Sequence, residues 1–434
     1  MLQRIFKTVI VLAAAQALPG SAAPPVALPS PLTLDAAVRI GLANHNQIGI
    51  AVSQKDAAAA RVTEAKSAWF PQITPVFQHT TQKTLLNSGT STQDVSSIGL
   101  QQTIFDSGKR ELNIARSRDS VRSAAYNVQD VRQSVVLNVT TGWFELLRAK
   151  DLVRVAESGV DRAKTTLDAT RAFAEAGSSP RKDVLQAQAD YDNAQVQSIQ
   201  ARNTVRLAET TLRNAMGASF ADPIVTPETA VPTPPVTPEA RTIADFVDQA
   251  MRNRPDLRGS ELGISSNRKG VKIAAIEAGP QVQADLNEGY RIHPDSGENH
   301  TITATISYPL FDAGASRARV REARATLTQS EQQLELARQD AAANVESAYL
   351  LREEARQRVS ATQTALTASK ENYAAATESR NEGVGTILDV ITAENQLVTA
   401  ETNAVQAVYD YHTADARLMR EIGANDPVAG GGQS

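Results

Sequence analysis

Apolar side chains recur at helical spacing along long stretches of this chain, and short stretches between them alternate at a period of two. Val121, Val128 and Val135 form a seven-residue seam that steps by eleven to Leu146 and resumes at Val153, Val160 and Leu167. Leu327 and Leu334, then Val359, Leu366 and Tyr373, trace a similar seam farther on. Sevens predict left-handed coiled packing, and an eleven-residue step unwinds it locally. No proline interrupts Lys109 to Ala176 or Ser316 to Glu382. The pattern therefore predicts long helices over about 109–176 and 316–382, each about 100 Å in length. Shorter helices follow over about 180–217 and 387–422, and half-length helical patterns precede at Leu34–Trp69 and Thr242–Ala278. Stacked end to end, a preceding and a following half-length helix would match one long helix.

The alternating stretches predict strands over about 71–82, 94–105, 280–290 and 301–310. Val282, Ala284 and Leu286 are separated by Gln283 and Asp285, and Ile302, Ala304 and Ile306 by Thr303 and Thr305. Ile73, Phe77, Ile98, Leu100 and Ile104 carry a weaker version. This period over about ten residues fits transmembrane β-strands, with those six apolar positions facing lipid and the polar ones facing water. A half-buried hairpin on a soluble domain is the alternative. Trp69, Tyr290 and Tyr308 suit an interfacial aromatic belt, whereas Trp143, deep in a helical pattern, suits packing.

The pattern occurs twice. Ile104-Phe105-Asp106-Ser107-Gly108 matches Leu310-Phe311-Asp312-Ala313-Gly314 at an offset of 206, which also pairs Gly177 with Gly383, Asp183 with Asp389 and Gly217 with Gly423. Upstream, an offset of 209 pairs Asn44 with Asn253 and Pro71 with Pro280. The expected organisation is a first repeat over 32–217, a proline-rich connector over 218–241, a second repeat over 242–423 and a disordered tail over 424–434. Each long helix ends in a turn, Gly177-Ser178-Ser179 or Gly383-Val384-Gly385. Ser179 and Thr386 are the expected N-caps, Pro180 suits the first helical position, and Thr386 with Asp389 has the form of a capping box.

Composition narrows the function classes. Residues 1–23 read as an export signal: Arg4 and Lys7, then apolar Thr8 to Leu18, then Ser21-Ala22-Ala23. Its removal takes the net charge from −4 to −6, which argues against nucleic acid as a partner. The chain has no cysteine, hence no disulfide framework and no thiolate metal site. His45, His79, His293, His300 and His412 are scattered, and no phosphate loop, nucleophile elbow or zinc motif is present. No catalysis, cofactor or metal is expected. Four strands cannot close a barrel, and open edges are not tolerated in lipid. Three chains would supply twelve.

The two Phe-Asp-x-Gly elements, the turns over 177–184 and 383–390 and the twice-repeated element order make the chain resemble the TolC-type outer-membrane factor family. The resemblance implies a mainly α fold with a small β part: a homotrimer whose 12-stranded β-barrel spans the outer membrane of a Gram-negative bacterium, continued by a 12-row α-helical periplasmic barrel. It implies an exit duct for a tripartite efflux pump or type I secretion system. The turns at Gly177, Ser178, Ser179, Gly383, Val384, Gly385 and Thr386 would dock onto a periplasmic membrane-fusion adaptor and an inner-membrane transporter. Asp389 matches a carboxylate ringing the constricted entrance, and Asp183 an acid that latches neighbouring helices. The family's second ring acid corresponds to Thr392, and its latch arginine and tyrosine to Gly385 and Arg380, so a single acidic ring and other latch contacts are expected. Read from the residues alone, Asp389 equally completes a helix cap. The competing function is a periplasmic coiled-coil scaffold or adaptor without a pore.

Overall fold

The computed structural model describes residues 30–83, 90–217, 224–226, 234, 241–293 and 295–424. The expected export signal, most of the proline-rich connector and all but Ala424 of the expected tail lie outside the described residues. The chain is mainly helical with one small sheet. The first repeat runs α1 (Leu34–Asn44), α2 (Asn46–Ser67), β1 (Gln72–Lys83), β2 (Thr90–Phe105), α3 (Lys109–Glu175) and α4 (Arg181–Met216). The second runs α5 (Ile243–Asn253), α6 (Pro255–Ile276), β3 (Gln281–His293), β4 (Gly297–Ser307), α7 (Ala315–Asn381) and α8 (Ile387–Glu421).

The preceding half-length helices are not single. Each breaks after eleven residues, at His45 and at Arg254, where ψ swings to 121 and 122. Pro255 accounts for the second break, because proline disfavours helical backbone at the residue before it. At the first, His45 Nδ1 accepts from the Gln47 N–H at 3.2 Å and starts α2 afresh. The breaks sit where the rows are spliced. Gly217, closing α4, lies against Asn44 and His45, and Gly423, closing α8, lies against Asn253 and Arg254. One spliced row is thus α2 with α4 and the other α6 with α8, while α1 and α5 lie alongside the long helices.

The long helix α3 packs against α2 and α4 on one side and α6 and α8 on the other, and α6 and α8 in turn pack against α7. The result is four rows of helix with α2/α4 and α7 at the outer flanks. Val128, Val135, Leu146 and Leu167 of the first seam and Leu334 of the second are buried. Around α1, Leu32, Ile40, Trp143, Leu146, Leu212 and Met216 form the largest core cluster. Around α5, Phe246, Val345, Leu418 and Ile422 form its counterpart. Each such side chain contributes about 1.5–3 kcal/mol on burial. Ion pairs tie rows together: Arg162 with Glu401 at 2.8 Å, Arg420 with Asp130 at 2.5 Å and Arg358 with Asp410 at 3.0 Å.

The strands form one antiparallel sheet in the order β1-β2-β3-β4, so the pairing of β2 with β3 joins the repeats and β1 and β4 are the edges. The observed strands start or stop away from the expected positions where alternation is a poor guide. β2 begins at Thr90 because polar Thr90–Asp94 pairs with His79–Lys83. β4 ends at Ser307 rather than 310, since Pro309 has no N–H for a ladder.

Candidate functional site

Three regions carry the chemistry: the sheet faces, the strand-to-helix joints and the helix tips. On the sheet, the six expected apolar positions fall into directly opposed pairs, Val282 with Ile306, Ala284 with Ala304 and Leu286 with Ile302. The last pair continues across all four strands, because Leu286 opposes Leu100 and Leu100 opposes Ile73. Ile302 and Ile306 are 82% and 74% exposed, so no described residue of the chain covers this end of the apolar face. The opposite face carries Gln101, Asp285 and Thr303 in one row and Thr74, Asn287 and Thr301 in another. Two steps beyond Leu286 the apolar face changes character: Glu288 and His300 pair at 2.7 Å. Ile104 does not take its expected place. The β2–β3 register shifts between Thr103 and Phe105, and Phe105 comes opposite Val282 instead. Tyr308 lies just past Ser307, the partner of Gln281, while Tyr290 opposes Glu298. The two tyrosines therefore stand near opposite ends of the strand pair, whereas Trp143 is buried among helices.

At the joints, the Phe-Asp-x-Gly elements turn strand into helix. Asp106 accepts from the N–H groups of Gly108 and Arg110, and Asp312 from those of Gly314 and Ser316. Gly108 and Gly314 adopt φ of 88 and 90, the left-handed region that glycine enters at no steric cost. The Ser316 hydroxyl also donates to Asp312, and these donors hold that carboxyl below its usual range. The first joint has an additional lock absent from the sequence reading. The Arg110 guanidinium pairs with Asp106 at 3.2 Å, donates to the carbonyls of Thr103 and Ile104, and lies 4.1 Å from the Trp69 ring centroid. The four-residue spacing from Asp106 to Arg110 is the signal that could have found it.

At the tips, α3 and α7 end in Schellman turns. Ser178 N–H donates to Phe173 O at 2.9 Å and Val384 N–H to Ser379 O at 3.1 Å, with Gly177 and Gly383 at φ of 75 and 80. Gly385 is closely packed, since a Cβ there would lie 3.0 Å from Arg380 N and Ser379 Oγ and its neighbours would have to give way. Thr386 caps α8 through the expected box: its N–H donates to Asp389 Oδ2 at 2.9 Å while Asp389 N–H donates to Thr386 Oγ1 at 3.3 Å. The donors from Thr386 hold the Asp389 carboxyl below its ordinary range, hydroxyl first and backbone second. Asp389 and Thr392, three residues apart, are both exposed. Ser179 does not cap α4. Pro180 takes that place with ψ 153, and its carbonyl accepts from Asp183 N–H, so the helix starts at Arg181. The Ser179 hydroxyl instead donates to Asp183 Oδ2 at 2.9 Å.

About one and a half turns into α8 from Asp389 lies an acid that the sequence reading passed over. Glu394 is 2% exposed, and burial, with Asp190 adding to it, pushes its carboxyl up to about 7. Arg162 and the Thr166 hydroxyl oppose that shift, but Arg162 already gives both terminal nitrogens to Glu401. Position 394, four after Val390 and three before Leu397, marked it as lying on the apolar stripe.

A model of the outer membrane efflux protein family matches residues 38–218 and 246–424. The chain belongs to that family. The two matched segments each contain one copy of the element order above. Among curated relatives of this outer membrane efflux protein, BepC of Brucella suis is 25% identical over 88% of this chain and 82% of its own length. The alkaline protease secretion protein AprF of Pseudomonas aeruginosa is 24% identical over 89% and 83%. Among solved structures, the open-state outer membrane channel MtrE of Neisseria gonorrhoeae superposes with a TM-score of 0.76 at 18% identity, covering 90% of this chain and 89% of that one.

Proposed function

We propose that three copies of this outer membrane efflux protein close into an exit duct, which passes substrates from a periplasmic pump to the cell exterior without catalysis. One observation carries the reading: among the described residues, a four-stranded sheet with an uncovered apolar face leaves both β1 and β4 unpaired on their outer sides. In lipid, each unpaired backbone group costs several kcal/mol, so such a sheet is stable there only in a closed ring. The helices have the same two flanks, α2/α4 and α7, and Ile199 and Leu207 on α4 and Leu336 and Leu350 on α7 stay exposed. Three chains bring twelve strands and twelve rows, enough to enclose a watery lumen lined by the Gln, Asn and Thr face. Tyr290 and Tyr308, about ten residues apart along the strand pair, differ by about 24 Å in height when the strands tilt by about 45°, close to the height of an outer-membrane apolar band.

At the far end, the turns at Gly177–Ser179 and Gly383–Thr386 form the periplasmic tip, with Val384, Leu388 and Leu185 exposed beside them. A membrane-fusion adaptor and an inner-membrane transporter dock there. Three Asp389 carboxylates around the axis favour cations, and Thr392 adds no second charge. The relatives named above serve efflux in one case and protease secretion in the other, so cargo class follows from the partner pump.

The test is native mass measurement of the detergent-extracted protein together with planar-bilayer recording. Trimers with discrete, cation-preferring conductance are expected. A monomer, or verified insertion without current, would return the chain to the class of pore-free periplasmic scaffolds.

A further inference from the structure

The duplication supplies a template for how one copy meets the next. Within the chain, the first repeat's strand-to-helix joint docks onto the second repeat's helix-to-strand turn. Ser107 donates to Pro280 O at 2.9 Å, and Lys109 Nζ pairs with Glu277 at 3.0 Å. The fit is close: a Cβ on Gly279 would lie 2.6 Å from Ser107 Oγ and 3.1 Å from Ser107 Cβ.

Among the described residues, the second repeat's joint has no such partner in its own chain. Leu310 and Phe311 are each 88% exposed, whereas their equivalents Ile104 and Phe105 are 58% and 48%. The turn that would receive them, between α2 and β1, also stands open, with Phe70 68% exposed. These two unpaired halves lie on the two flanks of the protomer, one beside β4 and α7, the other beside β1 and α2.

Translating the contacts by the repeat offsets changes their chemistry. Ser107 becomes Ala313 and Lys109 becomes Ala315, while Glu277 becomes Ala68, Gly279 becomes Phe70 and Pro280 becomes Pro71. A hydroxyl, an ion pair and a glycine are replaced by three alanines and a phenylalanine. Phe70 thus sets a bulky apolar side chain at the position where the template has a glycine crowded by Ser107, opposite an alanine that has lost the hydroxyl.

We infer that Leu310, Phe311 and Ala313 of one copy seat on Ala68, Phe70 and Pro71 of the next, an apolar joint just below the strands. The within-chain joint is its polar and ionic counterpart. This rests on the ring of copies proposed above. Its specific content is that chains are joined at this level by apolar contact and repeats by charge. The alternation has a physical logic: the within-chain joint forms while the chain folds in water, where ions keep it soluble. The between-chain joint forms last and gains by excluding water.

The absence of cysteine in the natural chain makes the test direct. Phe70→Cys with Ala313→Cys is introduced in the full chain, Ala313→Cys being nearly isosteric with the serine at the equivalent position. A Cβ separation near that of the template suits a disulfide after a small adjustment. Mild oxidation of the detergent-extracted protein should give covalent dimers and trimers that need both substitutions. Trimers by native mass with no cross-linked ladder would overturn this joint and leave the ring intact. Monomers by native mass for the natural chain would overturn the ring, and the joint with it. As a second variant, Leu310→Ser with Phe311→Ser should raise the trimer dissociation constant at least tenfold, and Glu277→Gln should raise it much less. The reverse order would overturn the assignment.

Discussion

The Arg380 guanidinium of α7 donates to the hydroxyl of Ser179, 201 residues earlier in the chain, at 3.1 Å. That hydroxyl in turn donates to Asp183, and Arg380 also lies 5.3 Å from the Phe173 ring centroid. The tips of the two repeats are therefore linked through a serine that stands between Arg380 and Asp183. Ser179 is free to make this bridge because Pro180, and not Ser179, caps α4.

Replacing Arg380 with alanine should loosen the tips without unfolding the chain. A charge-assisted hydrogen bond at a partly exposed site contributes about 1 kcal/mol. Amide exchange should quicken around 173–183 and 379–386, and single-channel conductance should rise. Unaltered exchange in both turns would remove the link from the account of the tip.

Asp389→Asn separates the cap from the charge. Asparagine still caps α8, so the helix should persist while cation preference falls. Acid tests the same group. Its carboxyl titrates below the usual value because Thr386 donates to the charged form. The contribution to the cap is thus complete above about pH 4 and fades as pH drops through the lowered value. Unchanged selectivity in correctly assembled Asp389→Asn trimers would leave only the cap.

Glu394 predicts a pH dependence of opposite sign. Its folded value of about 7 exceeds the ordinary 4.5, so the folded state holds the proton more tightly than the unfolded state. Stability is greatest below about pH 4.5 on this account and falls as pH rises to about 7, by about 3 kcal/mol at most. Asp190 shifts in the same direction through burial. In thermal melts at pH 5 and pH 8, Glu394→Gln should show less loss between the two than the natural chain. Equal losses would mean that the acid is solvated.

Arg110→Ala should cost about 2–4 kcal/mol, because it removes the cation beside a buried carboxylate and one donor from each of two carbonyls. Arg110→Lys should recover only part, since an ammonium cannot span that set of acceptors. Denaturant titration of the assembled protein, followed through tryptophan emission, measures both. A loss below about 0.5 kcal/mol for the alanine variant would show the lock to be redundant.

The sheet faces predict a contrast between adjacent positions. Ile302→Arg places a charge on the apolar face and should cost about 2–4 kcal/mol if that position lies near the midplane. Thr303→Arg, one residue on, sits on the opposite, polar face of the sheet and should insert normally while shifting ion selectivity. Comparable insertion yields for the two would contradict the assignment of faces.

What the sequence determined by itself was whatever depends on neighbours a few residues away. Helical spacing marked the long rows, a period of two marked the apolar strand positions, and Thr386 with Asp389 announced a cap that needs only one turn of chain. The duplicated Phe-Asp-x-Gly elements likewise turn strand into helix through contacts within four residues. Only the tertiary structure decided the rest. It paired β2 with β3, displaced Ile104 with a bulge, and set the row splices beside the helix breaks at His45 and Arg254. It also buried Glu394 beneath helices from the other repeat and brought Arg380 to Ser179. These depend on which distant segments pack together. Periodicity can place Glu394 on an apolar stripe, but the identity of the remote segment that covers a stripe leaves no mark on a single chain.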